Sequence, residues 1–268
     1  MKKAYVDLPD GTQIHYVTEG EGEPLLLFHQ APLCWEEWAG VIPLLSPHFR
    51  VIAPDMIGHG NSDDPPHECA MADFTRYTLQ FMDAMGLDRV ILAGNHSGAA
   101  LSMSLAVNHP ERVRRVVLSV EMLASPQMIA AFLEKLKGKP LSRELPMTAD
   151  GSFLAEAWER YRALTPTGSL ATRFRAFVIG QAARQRPYDA HHAVLHWMAE
   201  ADQFAKLRCP VLVFGAENDL FFKQELLDAA PARVPGCRTV VIRDAGALSA
   251  LEQPQALGAA ILAFAQGG

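Results

Sequence analysis

No apolar run in this chain reaches the roughly 20 residues that a bilayer-spanning helix needs. The first residues, Met1-Lys2-Lys3-Ala4-Tyr5, hold no apolar segment of the signal-peptide kind. A membrane partner is therefore not expected, and a cytoplasmic location is. Positive charge is also in deficit: 24 lysines and arginines against 30 aspartates and glutamates leave a net charge of −6 and no basic stripe. That argues against nucleic acid, whose phosphates call for clustered Lys and Arg. The four cysteines, Cys34, Cys69, Cys209 and Cys237, never fall in a C-x-x-C pair. They fit neither a zinc site nor a disulfide framework, and read as core or surface thiols in a reducing compartment. Repeats and low-complexity tracts are absent, as is the G-x-G-x-x-G fingerprint of dinucleotide sites. These patterns lead us to expect no cofactor and no metal.

What is there is an ordinary globular composition over 268 residues, enough for one large α/β domain with an insertion. Residues 4–17 read as two strands around the turn Pro9-Asp10-Gly11-Thr12. Short apolar runs at 25–28, 51–53, 90–93, 116–120 and 209–215 read as strands buried on both faces. Helical patterns at 36–45, 74–85 and 99–107 lie between the first four; a helix at 223–229, a strand at 239–242 and a helix at 254–265 finish the chain. This alternation predicts an α/β fold with a mostly parallel sheet and helices on both faces. From 122 to 207 the buried-strand signal disappears. Helical segments at 127–137, 153–163, 171–181 and 191–203 take over, broken by Gly151, Pro166 and Pro187. The expected organisation is a core of residues 1–121 and 208–268 with a helical cap of 122–207.

The chain is organised around Gly94-Asn95-His96-Ser97-Gly98, between a strand and a helix. Strand, turn and helix with Gly-x-Nuc-x-Gly form a nucleophile elbow, in which a strained turn presents one side chain above the ends of the strands. The glycines set the register: with His96 at the tip the flanking positions are Gly94 and Gly98, whereas with Ser97 they would be Asn95 and Ala99. His96 is therefore expected at the tip.

Four matches in chain order make the sequence resemble the α/β-hydrolase fold family over nearly its whole length. They are strongest toward the branch of haloalkane dehalogenases, epoxide hydrolases and lactone or C–C-bond hydrolases with a helical cap. His29-Gln30-Ala31-Pro32, followed by Trp35 and Trp38, is similar to that family's His-Gly-x-Pro oxyanion loop. Asp55-Met56-Ile57-Gly58-His59-Gly60-Asn61-Ser62 is similar to its glycine-rich turn. The elbow is followed by His109-Pro110-Glu111-Arg112-Val113, with His109 thirteen residues beyond His96, the family's usual spacing. Glu217-Asn218-Asp219 and Asp244-Ala245-Gly246-Ala247-Leu248 complete the set.

The resemblance implies a nucleophile, an acid and a histidine, in that order. Asp219 fills the acid position, but Ala247 stands where the histidine belongs, and no histidine follows His196. Gln30 also replaces the glycine of the oxyanion loop. A complete Ser-His-Asp mechanism cannot be carried over. The two changes can compensate: losing the base histidine empties a ring-sized space, and an imidazole on the elbow can fill it. His96 is then expected to hydrogen-bond Asp219 as a catalytic dyad, acting as base or nucleophile. The amides of Ala31 and Ser97 are expected to form the oxyanion hole.

Other candidates have narrower roles. His29 and Gln30 are expected to support the oxyanion loop, and His59 to sit in a turn. Glu121, after the strand that follows the elbow helix, could accept from His96 or be a plain loop carboxylate. Asp219 could instead cap the next helix. Trp35, Trp38 and Trp197 are candidates for pocket wall; the sequence alone reads them as core or apolar pocket wall without separating the two. His192 and His196 share one helical face, and one of His191, His192 and His196 could supply the missing base. The leading functional expectation is a hydrolase of a small apolar ester, lactone or related carbonyl compound, as monomer or homodimer. Two alternatives stay open: a cofactor-free lyase, isomerase or oxygenase in which His96 abstracts a proton, and a small-molecule binding protein without catalysis.

Overall fold

The computed structural model describes residues 1–137, 147–183, 188 and 190–267. Eight strands form one sheet in the order β1-β2-β4-β3-β5-β6-β7-β8. They are β1 (Lys2–Asp7), β2 (Gln13–Glu19), β3 (Pro24–Phe28), β4 (Arg50–Pro54), β5 (Val90–Gly94), β6 (Val113–Ser119), β7 (Val211–Ala216) and β8 (Arg238–Ile242). The β1–β2 and β2–β4 pairs are antiparallel and every other pair is parallel. The expected mostly parallel α/β sheet is thus observed. Strands β3 and β5 are apolar throughout because both of their faces are covered: Leu25, Leu26, Leu27 and Val90 to Ala93 are all fully buried.

The helices are α1 (Ile42–Leu45), α2 (Met71–Ala84), α3 (Ser97–Asn108), α4 (Pro126–Leu136), α5 (Ser152–Leu164), α6 (Leu170–Ala182), α7 (Ala190–Glu200), α8 (Gln224–Arg233), α9 (Ser249–Glu252) and α10 (Pro254–Gln266). Two large apolar clusters sit on the two faces of the sheet. The continuous helix expected at 36–45 is instead a 3-10 turn, Trp35–Trp38, followed by the single turn α1. Gly40 separates them, and a Cβ there would come within 2.9 Å of Pro254. Helices α4 to α7 lie between β6 and β7, where the cap was expected, and α7 packs on α2 and α3. Pro187, expected as a breaker there, lies outside the described residues.

The chain reverses its direction of growth at β3, with β4 added on one side and β5 on the other. The crevice outside the carboxyl ends of strands at such a switch point is where open α/β sheets bind ligands. Six loops leave the carboxyl ends there: 29–34 after β3, 55–70 after β4, the elbow after β5, 120–125 after β6, 217–223 after β7 and 243–248 after β8.

Candidate active site

The elbow is built by exclusion of side chains. A Cβ on Gly94 would lie 2.2 Å from the Gly98 carbonyl oxygen, and one on Gly98 would lie 2.1 Å from that of Phe28. Only glycine lets α3 start this close to β3 and β5. His96, between them, takes φ 46° and ψ −115°, a conformation that L-residues occupy only under constraint. The constraint is visible: its amide donates to Ser119 Oγ at 2.8 Å. The strained tip is His96, as the glycine register predicts, and Ser97 is the first residue of α3.

The imidazole lies between two carboxylates, one from the loop after β7 and one from the loop after β6. Nε2 lies 3.0 Å from Asp219 Oδ2, after β7. Nδ1 lies 3.4 Å from Glu121 Oε1, after β6. The other oxygen of Asp219 accepts the Phe221 amide at 2.9 Å. That bond serves the tight turn at 219–222, and α8 begins only at Gln224, so Asp219 is not a helix cap. Glu121 Oε1 also accepts from the Ser119 hydroxyl, whereas its buried Oε2 has no partner among the described residues. The ring of His96 is packed edge-on against Phe221, which packs edge-on against Phe132 of α4.

Electrostatics fix the charges. Burial alone would push the His96 pKa down, but Glu121, then Asp219 and Glu37, more than reverse it and lift the ring to about 10. An imidazole with a carboxylate at each nitrogen is saturated only as a cation that donates twice. The two carboxylates diverge. Burial, reinforced by Asp219, raises the Glu121 pKa against the pull of His96. Burial works the same way on Asp219, but the charge and hydrogen bond of His96 win, and its pKa is lowered. These three residues also bring one imidazole and two carboxylate donors within 4.8 Å of one another.

The 29–34 loop, the expected oxyanion loop, is held by a residue the sequence did not single out. Glu37 is fully buried, and its two oxygens accept the Gln30 amide at 2.7 Å and the Asn95 side-chain amide at 2.8 Å. Asn95 also donates to the Ala247 carbonyl at 2.9 Å. One carboxylate thus joins the oxyanion loop to the elbow, and Asn95 joins the elbow to the loop without its histidine. Burial lifts the Glu37 pKa to about 7 in spite of those two bonds. A glutamate between two tryptophans was the only available signal.

The remaining candidates separate. His29 Nδ1 donates to the Gln30 carbonyl at 3.0 Å and Nε2 accepts the Met56 amide at 2.9 Å. This neutral ring, whose pKa burial lowers, ties the oxyanion loop to the glycine-rich turn. Asp55 anchors that turn by accepting from Trp35, Asn61 and His15. Within the oxyanion loop the Ala31 amide is already taken: it donates to Ser97 Oγ at 2.6 Å. Of the two roles left open, core and pocket wall, the structure shows the core one for Trp35 and Trp38. They are 5% and 0% exposed and pack in the core on the sheet face, with Val41, Ile42 and Leu45. Their ring area is stabilising only when removed from water, and the 3-10 turn directs it inward. Trp197, on α7, is half-buried against the opposite cluster. His192 and His196 are exposed on α7, and the Asp219 carboxylate has its hydrogen bonds with His96 and Phe221.

Strand order, elbow and loop arrangement together define a class, and residues 23–254 match the α/β hydrolase fold family. The chain belongs to that family. Its relatives include the bifunctional epoxide hydrolase 2 of Mus musculus, 24% identical over 98% of this chain; the chain spans only 55% of that protein's length. Haloalkane dehalogenase 2 of Mycobacterium bovis is 28% identical over 93% of this chain and 90% of its own. A crystal structure of a hydrolase from Pseudomonas aeruginosa shares the fold with a TM-score of 0.78 at 24% identity, over 99% of both chains.

Proposed function

We propose that the protein hydrolyses a small, largely apolar ester, lactone or related carbonyl compound, with a His96–Asp219 dyad in place of the usual triad. The reading is carried by the 3.0 Å bond between His96 and Asp219, which bridges 123 positions of sequence. It gives the strained tip of the elbow a charged and oriented side chain. The edge-on rings of Phe221 and Phe132 beside it favour an apolar substrate. The hydrolytic name of the epoxide hydrolase relative is in keeping with it.

The charges support a division of roles. With its pKa raised to about 10, the ring carries a proton at neutral pH and meets the substrate as an acid. Glu121, whose pKa is raised, is the better proton acceptor; Asp219, whose pKa is lowered, remains an anion and orients the ring. Neighbouring groups with divergent proton affinities let one site supply both acid and base. Water gives a proton to Glu121 as its oxygen adds to the carbonyl carbon. The C–O bond then breaks, and the ring's proton goes to the leaving oxygen. Glu121 returns its proton to the ring across the 3.4 Å gap. One water is consumed, an acid and an alcohol form, and the site is restored.

The same proton-holding trio could serve a lyase or isomerase without water. The test is turnover of a panel of short and medium-chain esters and lactones from pH 5 to 11, with His96→Ala as background and products analysed in ¹⁸O-labelled water. Turnover that depends on His96, incorporates the label and falls as pH passes the ring's pKa supports the proposal. A rate that rises with deprotonation makes the imidazole a base or nucleophile instead. A product without label favours the lyase or isomerase, and a ligand returned unchanged favours a binding protein.

A further inference from the structure

Ser97 is 4% exposed and opens α3, a helix of 12 residues. Its hydroxyl accepts the Ala31 amide at 2.6 Å. The hydroxyl's own proton has no acceptor among the described residues, and neither does the Ser97 amide. A buried donor without an acceptor is costly, and here two of them belong to one residue beside the elbow tip. Both also sit at the positive end of α3, where negative charge is favoured. The Ala31 amide cannot reach a substrate oxygen while Ser97 Oγ occupies it.

From this arrangement we infer that Ser97 alone holds the negative oxygen of the tetrahedral intermediate, through its amide and its hydroxyl. Ala31 becomes a positioning residue: its N–H fixes the hydroxyl and polarises it, so that the O–H is the stronger donor. The hole is extended outward by one oxygen atom from where two backbone amides would place it. The inference rests on the carbonyl-hydrolase reading for its role in catalysis, but the anion subsite it describes does not depend on turnover.

The probe is monoethyl butylphosphonate, a tetrahedral monoanion, titrated calorimetrically at pH 7 into the wild-type protein, Ser97→Ala and Ser97→Cys. Cysteine keeps the shape of serine but is a weak donor, so it reports on the hydroxyl even where alanine perturbs folding. Binding to both variants is expected to weaken by about tenfold or more, the effect of one charge-assisted hydrogen bond. In ester turnover kcat should fall about 10²-fold with KM little changed, as for loss of one oxyanion donor. Equal or tighter binding by Ser97→Ala would show a hydroxyl that merely plugs the hole, and would overturn the inference. So would a wild-type protein that does not bind the phosphonate. Wild-type turnover that survives unchanged in both variants sinks the inference and leaves the hydrolase reading standing. Phosphonate binding that needs Ser97, without turnover of any ester or lactone, does the reverse.

Discussion

His96 Nδ1 lies 3.4 Å from Glu121 Oε1 while its Nε2 is engaged by Asp219 at 3.0 Å. Neither nitrogen is left with a free lone pair unless a carboxylate gives way or the ring loses a proton. This separates the site from a triad in which a neutral imidazole waits to accept a proton. It also makes the charge of one ring the quantity on which function turns.

That charge can be read directly. In NMR titrations of ring-labelled protein, the His96 signals should change near pH 10 rather than at the ordinary 6.5. Glu121→Gln and Asp219→Asn should each lower the midpoint, because each removes an anion that favours the cation. With both replaced, burial outweighs the remaining pull of Glu37, and the midpoint should drop below the ordinary value. A wild-type midpoint near 6.5 would contradict the assignment of His96 as the acid.

The same shift has a consequence for stability, and its sign follows from proton linkage. Between the unfolded-state value of 6.5 and the folded-state value of about 10, the native protein binds more protons at His96 than the unfolded chain. Stability from this group is complete below about pH 6.5 and is lost as pH rises toward 10. Urea unfolding of the wild type and of His96→Asn at pH 6, 8 and 9.5 should therefore give a difference that shrinks, or changes sign, with rising pH. A constant difference would mean that the ring's proton affinity is the same folded and unfolded.

Glu37 should matter for folding more than for chemistry. Glu37→Ala abandons two buried donors, the Gln30 amide and the Asn95 side chain. At about 1–3 kcal/mol for each abandoned donor, the loss is roughly 2–6 kcal/mol. The urea midpoint should fall accordingly without a change of slope. Asn95→Ala, which leaves Glu37 one of its partners, should cost less. If both variants unfold with the wild type, the Glu37 link adds nothing to the coupling of the three loops.

How much of this was legible in the sequence depended on whether the signal was local. The strand runs, the elbow register and the order of the loops were, because each rests on apolar pattern or on glycines that a few neighbouring residues explain. His96 at the tip follows from Gly94 and Gly98 alone, and its positive φ bears that out. Glu37 was not legible, since its meaning lies in Gln30 and in Asn95, 58 positions away. The two-sided hold on His96 needs the ends of β6 and β7 to lie side by side, which is a property of the sheet and not of either loop. Trp35 and Trp38 show the opposite limit: their apolarity was plain, but pattern cannot tell a ring that lines a pocket from one that fills a core. The occupied Ala31 amide was equally invisible, because a serine after the elbow tip has no sequence mark that says where its hydroxyl points.

The proposed exchange of one imidazole for another can be tested by reversing it. Ala247, 3% exposed, stands where the resemblance to the family led us to expect a histidine. Both oxygens of Asp219 are already engaged, by His96 and by the Phe221 amide. Ala247→His should therefore place a second ring in an occupied space, with a loss of about 1–3 kcal/mol as in other overpacked cores. Adding His96→Ser should empty that space and free Asp219 for the new histidine. The double variant should recover stability beyond the sum of the single changes, with a coupling of about 1 kcal/mol or more. It should also hydrolyse simple esters with a rate that rises through the ordinary imidazole range, opposite in sense to the alkaline fall expected of the wild type. Strict additivity in stability together with no ester turnover would mean that positions 96 and 247 do not compete for one space. His96 would then have to be understood as an addition to the fold's machinery, not as the replacement for its missing base.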